Sequence, residues 1–137
     1  MLSPEDVIDE WSSIRPALNT KPADMRRNGV FKIEEYDPGT GEVEGDYYDL
    51  EEFYEVRFEG LILPVAGSYA FIFNHDVKGT TKKRTYQGSF IAEVNHILVV
   101  AGRWKHEDAD GHKTDETKNK ETNKDAQDEG VWVLTKP

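Results

Sequence analysis

Residues 29–48 read GVFKIEEYDPGTGEVEGDYY. Two extended runs flank Asp37-Pro38-Gly39-Thr40-Gly41, a cluster of strong turn residues. The first run carries Val30, Phe31 and Ile33, and the second carries Val43, Tyr47 and Tyr48. Short apolar runs joined by such a turn predict a β-hairpin. In the second run Tyr48 falls on one face, and Val43 and Tyr47 fall on the other.

The chain beyond repeats this pattern. Residues 54–63, YEVRFEGLIL, alternate cleanly, with Tyr54, Val56, Phe58 and Ile62 on one face and Glu55, Arg57 and Glu59 on the other. Gly60 interrupts the inward face, and Pro64 is expected to end the strand. In residues 67–74, Tyr69, Phe71 and Phe73 share a face. His75–Arg84 reads as a locally basic hairpin loop, 85–94 as a strand and Asn95-His96 as a tight turn. Residues 97–104, ILVVAGRW, are apolar on both faces, which predicts a strand covered on both sides. The last strand, 131–136, is expected to pair with 97–104 and with 30–36.

Consecutive hairpins predict a mainly β fold, an antiparallel up-and-down β-barrel of seven to eight strands. Closure removes exposed edges. Residues 16–28, PALNTKPADMRRN, read as a crossing loop and poorly as an eighth strand. Ser3-Pro4-Glu5-Asp6 is a helix start with a capping residue, a proline for the first position and early acids. Val7, Trp11 and Ile14 recur at helical spacing. They predict one short N-terminal amphipathic helix over 3–15, its stripe packing on the barrel mouth or on a second subunit of a homo-oligomer. Residues 105–130 are charged and almost free of apolar side chains. They predict a flexible loop between the last two strands. The 137 residues are expected to form a single domain, 1–137.

Composition bounds the function. The formal net charge is −10, with 27 acids and 17 bases. Residues 1–60 carry 16 acids and 6 bases, whereas 61–104 carry 2 and 5. Phosphate-backbone binding rests on Lys and Arg, so no nucleic-acid partner is expected. An acidic face suits a basic protein partner instead, as an interaction or inhibitor module. The absence of cysteine excludes disulfides and thiol chemistry. No apolar run approaches the roughly 20 residues of a membrane helix, and no membrane partner is expected. The start, MLSPEDVIDEW, is acidic where a signal peptide is basic and then apolar. The expected location is cytoplasmic.

The residues also carry a family resemblance. Phe31-x-Ile33, the Gly-rich turn and Val43-x-Gly45-x-Tyr47 resemble the second and third strands of avidin and streptavidin. Phe58-Glu59-Gly60 is similar to the glycine-bearing strand that follows, and Tyr69–Asn74 to the aromatic fifth strand. Tyr86-Gln87-Gly88-Ser89-Phe90 resembles the strand with an aromatic-x-Gly pattern, Val100–Trp104 the seventh, and Val131–Lys136 the closing one. The resemblance spans residues 29–136, and lipocalins and other calycin-like barrels share parts of it. Of the family's biotin-binding set it carries over only Tyr47, on the third strand, and Trp104, on the seventh. The first-strand Asn and Ser have no counterpart, and the fifth-strand Trp position falls near Asn74-His75. The N-terminal helix and the charged late loop are foreign to the family. The resemblance thus implies the fold and leaves the ligand open.

Three kinds of site follow. Tyr47, Tyr69, Phe71, Phe73, Tyr86 and Trp104 are candidates to line a ligand pocket, since a barrel of about eight strands leaves room for side chains or one small ligand. The expected function is non-catalytic binding of a small, partly apolar ligand inside the barrel. His106, Asp108, Asp110 and His112 alternate in a ligand-like run, but the full calcium-loop pattern is absent, so no metal or cofactor is assigned. Glu34, Glu35 and Glu93 are strand carboxylates, and Glu93 would pair with His96 near a barrel end. With Tyr86 they are the basis for an isomerase or lyase alternative. No nucleophile elbow, phosphate loop or zinc-protease motif occurs, so no catalytic residue is assigned.

Overall fold

The computed structural model describes residues 2–21, 26–94, 97–108 and 128–136. It contains eight antiparallel strands that pair in chain order and close into an up-and-down barrel. A short helix α1 (Pro4–Val7) precedes β1 (Glu10–Ile14), β2 (Gly29–Tyr36), β3 (Glu42–Asp49) and β4 (Tyr54–Val65). β5 (Ser68–Asp76), β6 (Lys82–Val94), β7 (Ile97–Asp108) and β8 (Glu129–Lys136) complete the wall. The founding hairpin is β2–β3, with Phe31 opposite Tyr47 and Val30 opposite Tyr48. Its turn is held by the Asp37 carboxylate, which accepts from the Gly39 N–H at 2.8 Å, and by the Gly41 N–H donating to the Asp37 carbonyl at 2.7 Å. Gly41 sits at φ +83°, a conformation that favours glycine.

The structure corrects the reading of the N-terminus. The helix covers Pro4–Val7 only, and Glu10–Ile14 is a strand. Trp11 and Ser13 alternate inward with period two, and the Val7–Trp11 spacing that suits a helix is met by one hydrogen bond, from the Trp11 indole to the Val7 carbonyl. The eighth strand therefore comes from 10–14. β8 pairs with β7 and with this β1, rather than with the 30–36 strand. The predicted stripe is not a subunit surface, because Val7 and Trp11 are buried within the chain's own barrel end. Ser3 stands at the N-cap but its hydroxyl does not cap a helix N–H; the Asp6 carboxylate instead accepts from both the N–H and the hydroxyl of Ser3. Pro64 does not end β4 but pairs opposite Tyr69, one residue before the strand ends at Val65. On the outer face of β7 Ile97 is exposed, and Val99 and Ala101 are half-buried. The Asn95-His96 turn and most of the 105–130 loop lie outside the described residues.

α1 closes one end of the barrel, tied by Lys136 Nζ donating to the Glu5 and Asp6 carbonyls and by the Leu2 N–H donating to the Tyr69 hydroxyl. Inside, Trp11, Phe31, Phe58, Phe71, Phe73, Tyr86 and Trp132 are fully buried. Phe31 is central, with Tyr47, Phe58, Phe73, Tyr86 and Trp132 rings around it at 4.8–6.1 Å. Most of these contacts are tilted or edge-on, as ring quadrupoles prefer. Room comes from small residues on the same faces: a Cβ at Gly29 would lie 2.6 Å from the Tyr47 ring.

The β4–β5 turn is Ala66-Gly67, both with positive φ (51° and 79°). Two such central residues make the hairpin turn in which Asn-Gly is preferred. Ala66→Asn should therefore raise stability by about 0.5–1 kcal/mol, read as a shift in the denaturation midpoint. A loss of stability would mean that the turn relaxes in solution.

Candidate functional site

The end opposite α1 is closed by charged side chains. Five strands each send one inward there: Arg15 follows β1, Asp49 ends β3, His75 lies near the end of β5, Arg84 near the start of β6, and His106 near the end of β7. Asp49 is the hub. Its Oδ1 accepts the N–H groups of Glu51 and Glu52 at 2.9 and 2.8 Å. Its Oδ2 accepts Arg15 Nη2 at 3.0 Å and the Tyr47 hydroxyl at 3.2 Å, and lies 3.6 Å from Arg84 Nη1. The Tyr47 oxygen in turn accepts from Arg15 Nε and Arg84 Nη1, each at 3.4 Å. Burial pushes the Asp49 carboxyl up, but the Glu52 and Glu51 N–H groups and the two guanidiniums outweigh it and hold it below the usual range. Burial also opposes the charge on Arg15 and Arg84, and their neighbours offset it.

Both histidines are neutral, and their partners fix the tautomers. His75 Nδ1 faces the Asp76 carbonyl at 2.8 Å, which only accepts, so it carries the proton. His75 Nε2 then accepts from the Tyr86 hydroxyl at 2.8 Å, and its ring stacks on Tyr47 at 4.2 Å. Arg84 Nε donates to His106 Nε2 at 3.0 Å, so His106 Nδ1 carries the proton and donates to Asp128 at 3.1 Å. Burial depresses His75 to about 3 and His106 to about 4.

A cleft of about 270 Å³ opens above this layer. Pro16, Ala17 and Trp104 give it apolar walls, and Arg15, Arg84 and His106 give it polar ones. The Arg15 and Arg84 guanidinium carbons stand 5.4 and 5.6 Å from the Trp104 ring centre. The Trp104 indole donates to the Pro16 carbonyl at 3.1 Å. Gly130 permits this closeness, since a Cβ there would stand 1.9 Å from that carbonyl oxygen.

Of the six residues singled out for a pocket, the structure gathers four in one packed interior. Phe71, Phe73, Tyr86 and Tyr47 are fully buried, with no space left between them and their neighbours for a ligand. Tyr69 lies at the α1 end, its hydroxyl taken by Leu2. Trp104 borders the open cleft at the mouth and, with Tyr86, lines a second cleft of about 300 Å³. His106 belongs to the mouth, whereas Asp110 and His112 lie outside the described residues. No group of metal-ligating residues occurs among the described residues. Glu93 is exposed on β6, far along the chain face from the mouth, and His96 lies outside the described residues. Sequence reasoning missed Arg15, Asp49, His75 and Arg84. Arg15 was hidden by the helix reading, and His75 and Arg84 by their assignment to a loop. Asp49 stands at odds with its exposed acidic neighbours only through its period-two alignment with Tyr47.

No family model matches the chain, and no curated protein matches it. Solved structures do match. AVR2 superposes with a TM-score of 0.60 at 13% identity, covering 96% of this chain and 94% of its own. Core-bradavidin gives 0.57 at 12%, covering 92% and 96%. A biotin-binding protein from chicken gives 0.62 at 11%, covering 98% and 99%. At such identities the likeness establishes the fold, an avidin-like barrel over nearly the whole chain.

The histidines predict acid sensitivity. Their folded pKa values lie below the roughly 6.5 of an unfolded chain. The unfolded state therefore takes up protons first as pH falls. The stabilisation is complete above about pH 6.5 and is lost from there toward about pH 4, with a slope of up to about 2.7 kcal/mol per unit for two protons. Urea denaturation between about pH 7 and 4.5 should show this fall. His106→Gln keeps an acceptor for Arg84 and should remove about half of the slope. A flat profile would show that neither ring is held neutral.

Proposed function

We propose that the chain is a non-catalytic binding protein that holds a small, partly apolar ligand at the mouth of the barrel. The observation that carries this reading is the contrast between a filled interior and a cleft with both apolar and hydrogen-bonding walls at the Trp104 end. Ligand sites are concave, mostly apolar and furnished with a few placed polar groups. At about 270 Å³ the cleft suits a fragment-sized molecule. Biotin is the named ligand of the chicken neighbour. Here the hydroxyl of Tyr47 is committed to Asp49 and the arginines, and the indole of Trp104 to Pro16. The barrel interior should therefore not take biotin.

Fragment screening by NMR on the full chain tests this. Hits should perturb the Trp104 indole, His106 and Ala17 signals, and biotin should perturb nothing in the interior. Hits that all map elsewhere would overturn the reading.

A second reading, an acidic module for a basic protein, rests on the outer wall of β2–β4. Glu35 stands opposite Glu44, and Glu44 opposite Glu59. Cross-strand like charges are unfavourable. The Glu44 carboxylate beside Glu35 raises the pKa of Glu35. Arg57 pairs there with Glu34, Asp46 and Glu44 at 2.8, 3.0 and 3.9 Å, and Lys32 stands opposite Asp46. Retention of such a ladder favours a basic partner that neutralises it. An oligolysine peptide should bind in low salt, and Glu44→Lys should weaken it by about tenfold, the worth of roughly 1.4 kcal/mol. Unchanged binding would remove this wall as the contact.

A further inference from the structure

Resting on the mouth as the ligand site, we propose that the ligand is a carboxylate, taken up by Arg15 and Arg84, and that Glu51 is the chain's own occupant of that position. The argument begins with charge. Two guanidiniums are buried at the mouth, their side chains 10% and 5% exposed, and one buried carboxylate, Asp49, lies between them. His106 is neutral because its Nε2 accepts from Arg84, and burial keeps His75 neutral. The buried layer therefore keeps one positive charge without a buried counter-charge.

The donors agree with the charge. Arg15 spends Nε and Nη2, and Arg84 spends Nε and Nη1. Arg15 Nη1 and Arg84 Nη2 have no partner among the described residues. Neither is sealed away, because among the described residues the one fully buried side-chain polar atom without a partner is the Tyr54 hydroxyl. Both arginines line the cleft, so an acceptor entering it meets one unspent nitrogen on each of two guanidiniums above the Trp104 ring.

Glu51 stands at the edge of this site, against the Arg15 nitrogen already given to Asp49. Its carboxylate reaches Arg15 Nη2 at 3.5 Å, beyond a good charge-assisted hydrogen bond, and its side chain is 56% exposed. It is a weak and displaceable occupant. Its neighbour Glu52 also lines the cleft, as does Arg26, so the rim carries two acids and one cation. The net negative charge of that rim repels a dianion more than a monoanion. Pro16, Ala17 and Trp104 accept the apolar remainder of the molecule. A monocarboxylate with a flat or short apolar body meets all of these conditions.

The test uses benzoate, with benzamide as its neutral counterpart and inorganic phosphate as the dianion, each titrated against the full chain and followed by the Trp104 indole signal. Benzoate should bind, and the other two should bind at least about tenfold more weakly, as expected when a charge-assisted hydrogen bond is lost. Glu51→Gln, an exposed substitution that leaves the buried layer intact, should tighten benzoate by about threefold or more. Arg84→Met should abolish benzoate binding, and a preserved NMR fingerprint would show that the variant folds. Equal binding of benzamide would overturn the carboxylate while leaving the mouth as a site. Weaker or unchanged benzoate binding in Glu51→Gln would overturn the role of Glu51. Benzoate failing on both forms while other fragments map to the mouth would sink this inference alone, and no fragment at the mouth would sink the underlying reading with it.

Discussion

The Asp49 carboxylate, buried between Arg15 and Arg84, is the constraint on which the barrel depends. A lone carboxylate or guanidinium at this depth would cost several kcal/mol in lost hydration. Asp49 lies within reach of both cations and also takes two backbone N–H groups from the turn that follows it. The contacts join β1, β3 and β6 across the lumen, strands that are not neighbours in the wall. Breaking such a buried set by removing one partner typically costs about 3–5 kcal/mol, because the other partners are left unpaired. The mouth is therefore fixed by polar contacts of definite geometry, which a purely apolar end would lack.

The aromatic core beneath follows from that closure. Tyr47 and Tyr86 each present a ring to the core and a hydroxyl to the charged layer. They serve as the boundary between the two media. Below them Phe31, Phe58, Phe71, Phe73 and Trp132 exclude water, and all three tryptophans spend their N–H inside the chain, on Val7, Pro16 and Ser13. A lumen packed in this way has no room for a guest. What the fold offers a guest is the rim, where strand ends bring side chains of different elements together.

The strands from 29 onward were legible because period-two alternation and turn residues agree there, and the register of β2–β3 matches the hairpin read from residues 29–48. The first strand was not legible. Val7, Trp11 and Ile14 satisfy a helical period, while Trp11, Ser13 and Arg15 satisfy a strand period, and only the need to close the sheet decides between them. The mouth was illegible for a related reason. Arg84 is locally one of a run of basic residues, Lys82-Lys83-Arg84, and nothing in that run marks which of them turns inward. The extension of β6 back to Lys82 settles it, because pairing places Arg84 opposite both His75 and His106. Buried charge is a property of register, and register at strand ends is set by partners distant in sequence.

The net charge of −10 gives this mouth its character. Glu34, Glu35, Glu44, Asp46 and Glu59 line the outer wall of β2–β4, and Arg15 and Arg84 lie inside. Screening limits the field of the wall to about 8 Å at physiological ionic strength. Within the cleft the nearer guanidiniums prevail, since low-dielectric surroundings strengthen their field. Beyond it an anion meets the acidic surface. A polyanion, which must span both regions, gains at one end and loses along its length. A small monoanion fits within the favourable region alone. The segregation of charge between wall and mouth thus discriminates by ligand size as well as by sign, in a molecule whose overall charge would otherwise repel every anion.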